Sequence, residues 1–454
     1  MDKPRLERPV VKTIDHLTPS LLGAMLGKPA VAGFQAKNIG TGQVGEVYRL
    51  RVRYSDEKGT SDGPATVVLK IASRDARSHA SGVSLGIYNT ETRFYDELAP
   101  AVAANTASVP HCYYSAYDKD SGAFALLLED VGDDALVGND LSGATLAQAR
   151  LAMSELGRLH GALLPLVQKD ETQWLEQGPE LNGAMFEEIF RAFKERYHVR
   201  VTPAHLAICE RFVQSFVPFR DALEQPGAVA LRGVTHGDYR MDNMLFPVAG
   251  GYAKVVDWQL VKGGPLAVDL AYFLGGCLDP ATRRGWLREL LQTYLDALTA
   301  AVGRPLVTLE ELEHDLRMNA FYGVTMAIVS SILVRQTNRG DDMFIALLSR
   351  HCELVRELDA LSVLPAAPGV QDWTPLQPEP HDELPHPVQE NKYWSESWYF
   401  DFVDEAQGIA GWVRLGLTPN LKRNWYTALV SRPGKPLLLL VKRSQSYRQI
   451  LRSS

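Results

Sequence analysis

Cysteine is scarce in this 454-residue chain, and its placing excludes two chemistries. Cys112, Cys209, Cys277 and Cys352 lie far apart and form no C-x-x-C pair. Neither a disulfide framework nor a thiolate metal site fits that spacing, so they read as reduced thiols of a cytoplasmic protein. Positive charge is not in excess. The formal net charge is -7, whereas surfaces that hold nucleic acid are usually basic, so no nucleic-acid partner is expected. No charged-then-apolar leader opens the chain, which begins Met-Asp-Lys-Pro-Arg-Leu-Glu-Arg. No uninterrupted apolar run reaches bilayer length, so no integral membrane segment is expected. Acidic residues stop at Glu405, which leaves a basic tail. What remains is an ordinary globular composition, 46% apolar and 22% charged, in a chain long enough for a large core.

The stretch richest in chemistry runs from Val234 to Leu274. It holds His-Gly-Asp-Tyr-Arg-Met-Asp-Asn (His236 to Asn243), Val-Val-Asp-Trp-Gln (Val255 to Gln259) and Asp-Leu-Ala-Tyr-Phe-Leu (Asp269 to Leu274). Two short apolar runs flank the turn Pro247 to Gly251, which predicts a hairpin with polar side chains at its ends. Asp238, Asn243 and Asp257 can then converge. Phosphoryl transfer by kinases needs such a trio, one Asp to accept a hydroxyl proton and an Asn and an Asp to hold Mg²⁺. Kinase signatures write it as H-R-D-L-x-x-x-N followed by D-F-G. Here Gly237 replaces the Arg, and Trp258-Gln259 replace Phe-Gly. That variant resembles the aminoglycoside phosphotransferase superfamily of small-molecule kinases, which includes choline and ecdysteroid kinases. The resemblance implies Asp238 as catalytic base and Asn243 and Asp257 as Mg²⁺ ligands. It also implies that Asp269 braces the loop.

Upstream, Gly40, Gly42 and Gly45 stand in G-x-G-x-x-G register with Val47 behind them. Alone the pattern is weak. A dinucleotide fingerprint needs a helix after the glycines, but Val47 to Tyr54 alternate at strand period, so the loop lies between strands and covers phosphates as in kinases. Lys70, in Val-Leu-Lys-Ile, matches the V-A-I-K lysine that contacts the nucleotide phosphates. A helix is expected over Leu85 to Leu98. On it the resemblance implies Glu91 as ion-pair partner of Lys70, with Glu97 the competitor. A second hairpin, His111 to Tyr117 and Ala123 to Glu129, leads into Glu-Asp-Val-Gly. This exit resembles the hinge where kinases offer backbone groups of residues such as Glu129 and Val131 to adenine.

From Thr145 the chain is mostly helical, with helices expected near Gly183 to Tyr197, Pro203 to Leu223, Pro265 to Cys277, Pro280 to Val302, Thr308 to Gln336 and Asp341 to Leu361. Phe321 to Val334 is apolar nearly all round, which usually means core; the alternative is the lining of an apolar acceptor site. The last kinase-like helix lacks the acidic end that a polycationic acceptor would call for. Prolines between Leu364 and Val388 keep the chain extended. Beyond them, Tyr393 to Val403, Gly408 to Leu417, Trp425 to Val430 and Leu437 to Val441 read as a four-strand meander. It faintly resembles the opening of lipocalin-like β-domains fused to some kinases of this type.

The fold expected is α+β: a bilobal protein-kinase-like unit with a β-rich N-lobe (1–131) and a helical C-lobe (132–364). A Pro-rich linker (365–392) and a C-terminal β-strand segment (393–454), part of a larger β-domain, follow. The function expected is ATP- and Mg²⁺-dependent transfer of the γ-phosphate to a small-molecule hydroxyl, neutral or lipidic. A protein kinase is disfavoured, because no A-P-E element follows Asp257. The rival reading is a nucleotide-binding regulatory module without turnover, whose β-segment binds a partner or a second copy.

Overall fold

In a computed structural model of the chain, the alternation after Gly45 becomes the second strand of a five-stranded antiparallel sheet. The structure describes residues 8–28, 30–40, 44–55, 63–104, 106–132, 135–166, 170–176, 181–248, 250–334, 336–365, 387–388, 390, 394–404, 406–432 and 438–444. Two compact units are present, Met1–Gly369 and Val370–Ser454.

Helix α1 (Pro19–Leu26) is capped by Thr18 and packs against the first sheet. That sheet comprises β1 (Val31–Asn38), β2 (Gly45–Tyr54), β3 (Thr66–Ala72), β4 (Cys112–Asp118) and β5 (Ala123–Glu129), in the order β1-β2-β3-β5-β4. The buried set Leu50, Val67, Leu69, Ile71, Ala125 and Leu127 forms one face's core with α1. Phe124, Leu126 and Leu128 point the other way, into the main core. Strand period 2 thus sends alternate residues to two cores.

The helix expected over Leu85 to Leu98 is broken in two places. Gly86, with φ 71°, separates α2 (Ala76–Ser84) from α3 (Ile87–Arg93). Then α3 runs into a single π turn, Phe94–Leu98, before α4 (Ala99–Ala103). Pro100 has no N–H to give the carbonyl four residues back, and the N–H of Ala99 reaches Phe94 O instead.

The helical part of the unit contains β6 (Ala135–Val137), α5 (Leu146–Leu163), α6 (Gly183–Tyr197), α7 (Pro203–Leu223), β7 (Arg232–Thr235), β8 (Met244–Pro247), β9 (Lys254–Val255), β10 (Lys262–Pro265), α8 (Ala267–Gly276), α9 (Pro280–Val302), α10 (Leu309–Asn319), α11 (Tyr322–Leu333) and α12 (Asn338–Glu357). β8 and β9 form the predicted hairpin, joined by β6, while β7 pairs with β10. Thr145 caps α5 with a full capping box through Gln148. Every residue of α8 is buried, and it anchors the main core.

The single helix expected from Thr308 to Gln336 is two, broken at Ala320–Phe321. Phe321 is buried and stacked on Phe212 at 4.5 Å, a tertiary contact that no local signal announces. Together Leu309–Leu333 is the one stretch, among the described residues, with the length and composition to cross a bilayer. Half of it is buried inside this fold, and Asp315 accepts the backbone N–H groups of Ala230 and Leu231.

The second unit holds β11 (Glu396–Asp404), β12 (Ile409–Thr418), β13 (Arg423–Ser431) and β14 (Leu438–Ser444), an antiparallel meander in that order. Register places Phe400, Val413, Ala428 and Leu440 in one row. Both edges of that row are open, with Phe400 61% and Leu440 57% exposed. On the opposite face the Arg414 guanidinium lies between the rings of Tyr399 (4.6 Å) and Trp425 (4.4 Å) and donates to Ser397.

We propose the domain boundary near Gly369. Leu364 is buried, and Arg211 donates to Pro365 O at 2.7 Å, so the first unit's core closes just before that point. A chain ending at Gly369 is expected to give a cooperative thermal melt within a few degrees of the full chain. A broad, non-cooperative melt of that chain would show that the sheet completes its core.

Candidate active site

The site is built from the two ends of the β8–β9 hairpin. Asn243 precedes β8 and Asp257 follows β9, and the hairpin closes them with Val256 N–H donating to Asn243 O at 3.0 Å. Asp257 adopts left-handed backbone (φ 69°, ψ 60°), which Asp tolerates better than most residues. The next residue secures that turn. Trp258 is buried, stacks on Phe94 at 3.9 Å and donates its indole N–H to Val255 O.

Across the cleft, Lys70 Nζ donates to Asp257 Oδ1 at 2.5 Å and to Glu91 Oε1 at 2.8 Å. Val47 is the register partner of Lys70 on β2. Burial works against the Lys70 charge, but Asp257 and then Glu91 outweigh it, and its pKa is raised. Burial raises the Asp257 carboxyl, yet the Lys70 ammonium prevails and holds it below the usual range. Glu91 is pushed up to about 7, mainly by burial, with Lys70 opposing and Asp257 adding to the rise. Glu97 faces elsewhere, toward Arg93 and the Trp174 indole N–H.

The His236–Asp238 segment is fixed by one buried carboxylate. Asp269 accepts the backbone N–H groups of His236 (2.7 Å) and Gly237 (2.8 Å) and faces His160 Nε2 at 3.1 Å. His236 Nδ1 accepts the Asp238 backbone N–H, so its Nε2–H donates to Val256 O at 3.1 Å. The imidazole is therefore neutral, and burial lowers its pKa further. Gly237 has φ 80°, and a Cβ there would meet Leu260 O at 2.6 Å; no other residue fits.

Asp238 has both carboxylate oxygens held. Arg240 Nε donates to Oδ1 at 2.9 Å, and Asn243 Nδ2 donates to Oδ2 at 2.8 Å. Arg240 is itself gripped by Asp140 and paired with Asp242 at 3.4 Å. Neither Arg240 nor Asp140 was singled out from sequence. The signal for Arg240 was available, a cation two residues after the candidate base; Asp140, a hundred residues away in a polar turn, offered none.

The remaining candidates are placed as follows. Gly40 follows β1, its N–H shared between Asn38 Oδ1 (3.1 Å) and Val47 O (3.3 Å); a Cβ there would meet the Val47 Cβ at 2.9 Å. Gly45 opens β2 opposite Ala72. Gly42 lies outside the described residues. The Glu129 side chain is committed to Lys254 (2.8 Å) and the His111 N–H (3.0 Å), and its own N–H donates to His111 O at 2.7 Å, which leaves its carbonyl for a ligand. The Val131 N–H has no partner among the described residues. Asn243 and Asp257 offer a carboxamide and a carboxylate oxygen, hard donors of the kind Mg²⁺ takes alongside phosphate oxygens and water. The donor set fits the ion.

The model of the ecdysteroid kinase-like family matches residues 40–304, more than half of the chain. The chain belongs to the ecdysteroid kinase-like family. That match takes in Gly40, Gly45, Lys70, Glu91, Asp238 and the whole β8–β9 hairpin. Residues 379–449 match a separate domain family of unknown function. No curated protein matches the chain. Among solved structures it is similar to Plasmodium vivax ethanolamine kinase, with 11% identity over 72% of this chain and 84% of that one, TM-score 0.43. A microcompartment-associated aminopropanol kinase gives 12% identity over 73% and 94%, TM-score 0.42. An amicoumacin kinase gives 14% over 74% and 92%, TM-score 0.41.

Proposed function

We propose that this chain transfers the γ-phosphoryl group of ATP to a hydroxyl of a small molecule. The observation that supports it most is the bond from Lys70 of the β-rich lobe to Asp257 at the hairpin's far end. It sets a phosphate-binding cation against a metal-binding carboxylate, while Asp238 stands at the hairpin's near end.

In this reading Lys70 holds the α- and β-phosphates, oriented by Glu91, and Gly40, Gly42, Gly45 and Val47 cover them. The backbone at Glu129 and Val131 meets the adenine. Asn243 and Asp257 would hold Mg²⁺, which when bound neutralises charge on the phosphate oxygens. Asp238 accepts the acceptor's hydroxyl proton as that oxygen bonds to the γ-phosphorus and the bridging bond to ADP breaks. Arg240, held by Asp140, keeps the Asp238 carboxylate in position. No covalent enzyme intermediate is required.

Binding to the folded state alone raises stability, by about 2.7 kcal/mol at a hundredfold excess over Kd. Mg·ATP is therefore expected to raise the Tm, and Asp257→Ala to remove the metal-dependent part of that rise. A thermal melt with and without Mg²⁺ measures both. No shift with any nucleoside triphosphate would overturn nucleotide binding, and with it the phosphotransferase reading.

A further inference from the structure

Lys262 carries a charge that phosphoryl transfer as described does not use. It pairs on β10 with Thr235, which leads directly into His236-Gly237-Asp238. Its ammonium has no ion pair or hydrogen bond among the described residues. It stands 5.5 Å from the centroid of the Tyr322 ring, whose hydroxyl donates to Gly237 O at 2.6 Å. Lys262 reaches solvent, yet the protein around it lowers its pKa through burial, with Asp269 and Glu224 offsetting this only in part.

From Tyr322 a stripe of α11 runs on at helical spacing: Met326 and Val329 are half-buried and Leu333 is 48% exposed. Met343 of α12 adjoins Arg240 at 3.8 Å on the same loop. The carboxylates closest in effect to Lys262 are already engaged. Asp269 serves the catalytic-loop N–H groups, and Glu224 pairs with Arg232 at 3.1 Å. A cationic acceptor would thus meet Lys262, whose neighbouring carboxylates are both already engaged.

We propose that Lys262 and the partly exposed stripe of α11 select the acceptor, a hydroxyl compound with an anionic group near the hydroxyl and an apolar body. The inference rests on the phosphotransferase reading for the hydroxyl at Asp238. Lys262 supplies the charge-assisted contact, Tyr322 the platform beside it, and Met326, Val329 and Leu333 the apolar wall.

The test uses the full chain with dodecanoates hydroxylated on the β, γ or δ carbon, each beside its methyl ester and the matching hydroxyalkylamine. Phosphorylation by Mg·ATP is measured as kcat/KM, and binding without nucleotide by calorimetry. At least one hydroxy acid is expected to exceed its ester and amine by about tenfold or more, the worth of one charge-assisted contact. Lys262→Met should remove that preference chiefly through KM, and Lys262→Glu should turn it toward the amine. Equal use of the ester, preference for the amine, or a preference unchanged in Lys262→Met would overturn the inference while leaving phosphotransfer intact. If Mg·ATP gives neither a Tm shift nor turnover, the phosphotransferase reading fails and calorimetry decides the inference. Binding of a hydroxy acid that Lys262→Met abolishes supports it; no binding overturns it.

Discussion

Asp238→Asn is expected to lower kcat by about 10²- to 10⁴-fold, the range that a positioned general base contributes. The substitution keeps shape and removes proton affinity. One oxygen remains to accept from Arg240 Nε, which lies 2.9 Å from Oδ1 in the parent. The new amide cannot accept from Asn243 Nδ2, but that group also donates to the backbone oxygen of residue 238 at 2.9 Å, so Asn243 stays in place. The Mg·ATP-induced Tm rise should therefore survive within a few tenths of its parent size. Steady-state kinetics beside the thermal melt separate the two effects. A kcat within tenfold of the parent would remove Asp238 from the role of base.

The second large effect is on folding. Lys70→Met should cost about 3–5 kcal/mol at neutral pH in the unliganded protein, because it leaves the buried Glu91 and the half-buried Asp257 without their cation. Lys70 is the shared partner of Glu91 (2.7 Å) and Asp257 (2.5 Å). Even with Lys70 present, Glu91 is pushed up to about 7 from an ordinary 4.5. A carboxyl raised on folding contributes its stability in full below the unfolded value and loses it as pH rises through the folded one. The variant's deficit should accordingly grow between about pH 5 and pH 8, visible in urea melts at those two values. Adding Glu91→Gln should recover most of the stability and none of the turnover. A deficit that is flat with pH, or unrelieved by Glu91→Gln, would mean that the three groups do not share one charge balance.

The β8–β9 hairpin was legible because its information is local. His-Gly-Asp, the Asn five residues on and the Asp-Trp after a Pro-Gly turn sit within one short stretch, and strand period carries them to one end. The strand after the glycine loop followed from alternation in the same way, whereas the strand order β1-β2-β3-β5-β4 did not. Contacts across long separations were not legible. That Asp140 grips Arg240, or that Tyr322 reaches Gly237 O, depends on helices placed by core packing. The break at Ala320–Phe321 shows the same limit. No Gly or Pro stands between Asn319 and Tyr322, and Phe321, at the break, is stacked on Phe212 from another helix. The contact of Arg211 with Pro365 O is likewise one that proline density does not report.

The π turn at Phe94–Leu98 has a consequence for insertions and deletions. Each residue of an α-helix advances the next by about 100°, and a π turn holds one residue more than that count allows. Ile87–Arg93 is therefore out of phase with Ala99–Ala103 by about that angle. Losing one residue from the turn would bring the segments into step and swing Glu91 around the helix axis, away from Lys70. Chain length at this point aims a carboxylate, so the segment can accept exchanges of side chain far more readily than a change of one in its number of residues.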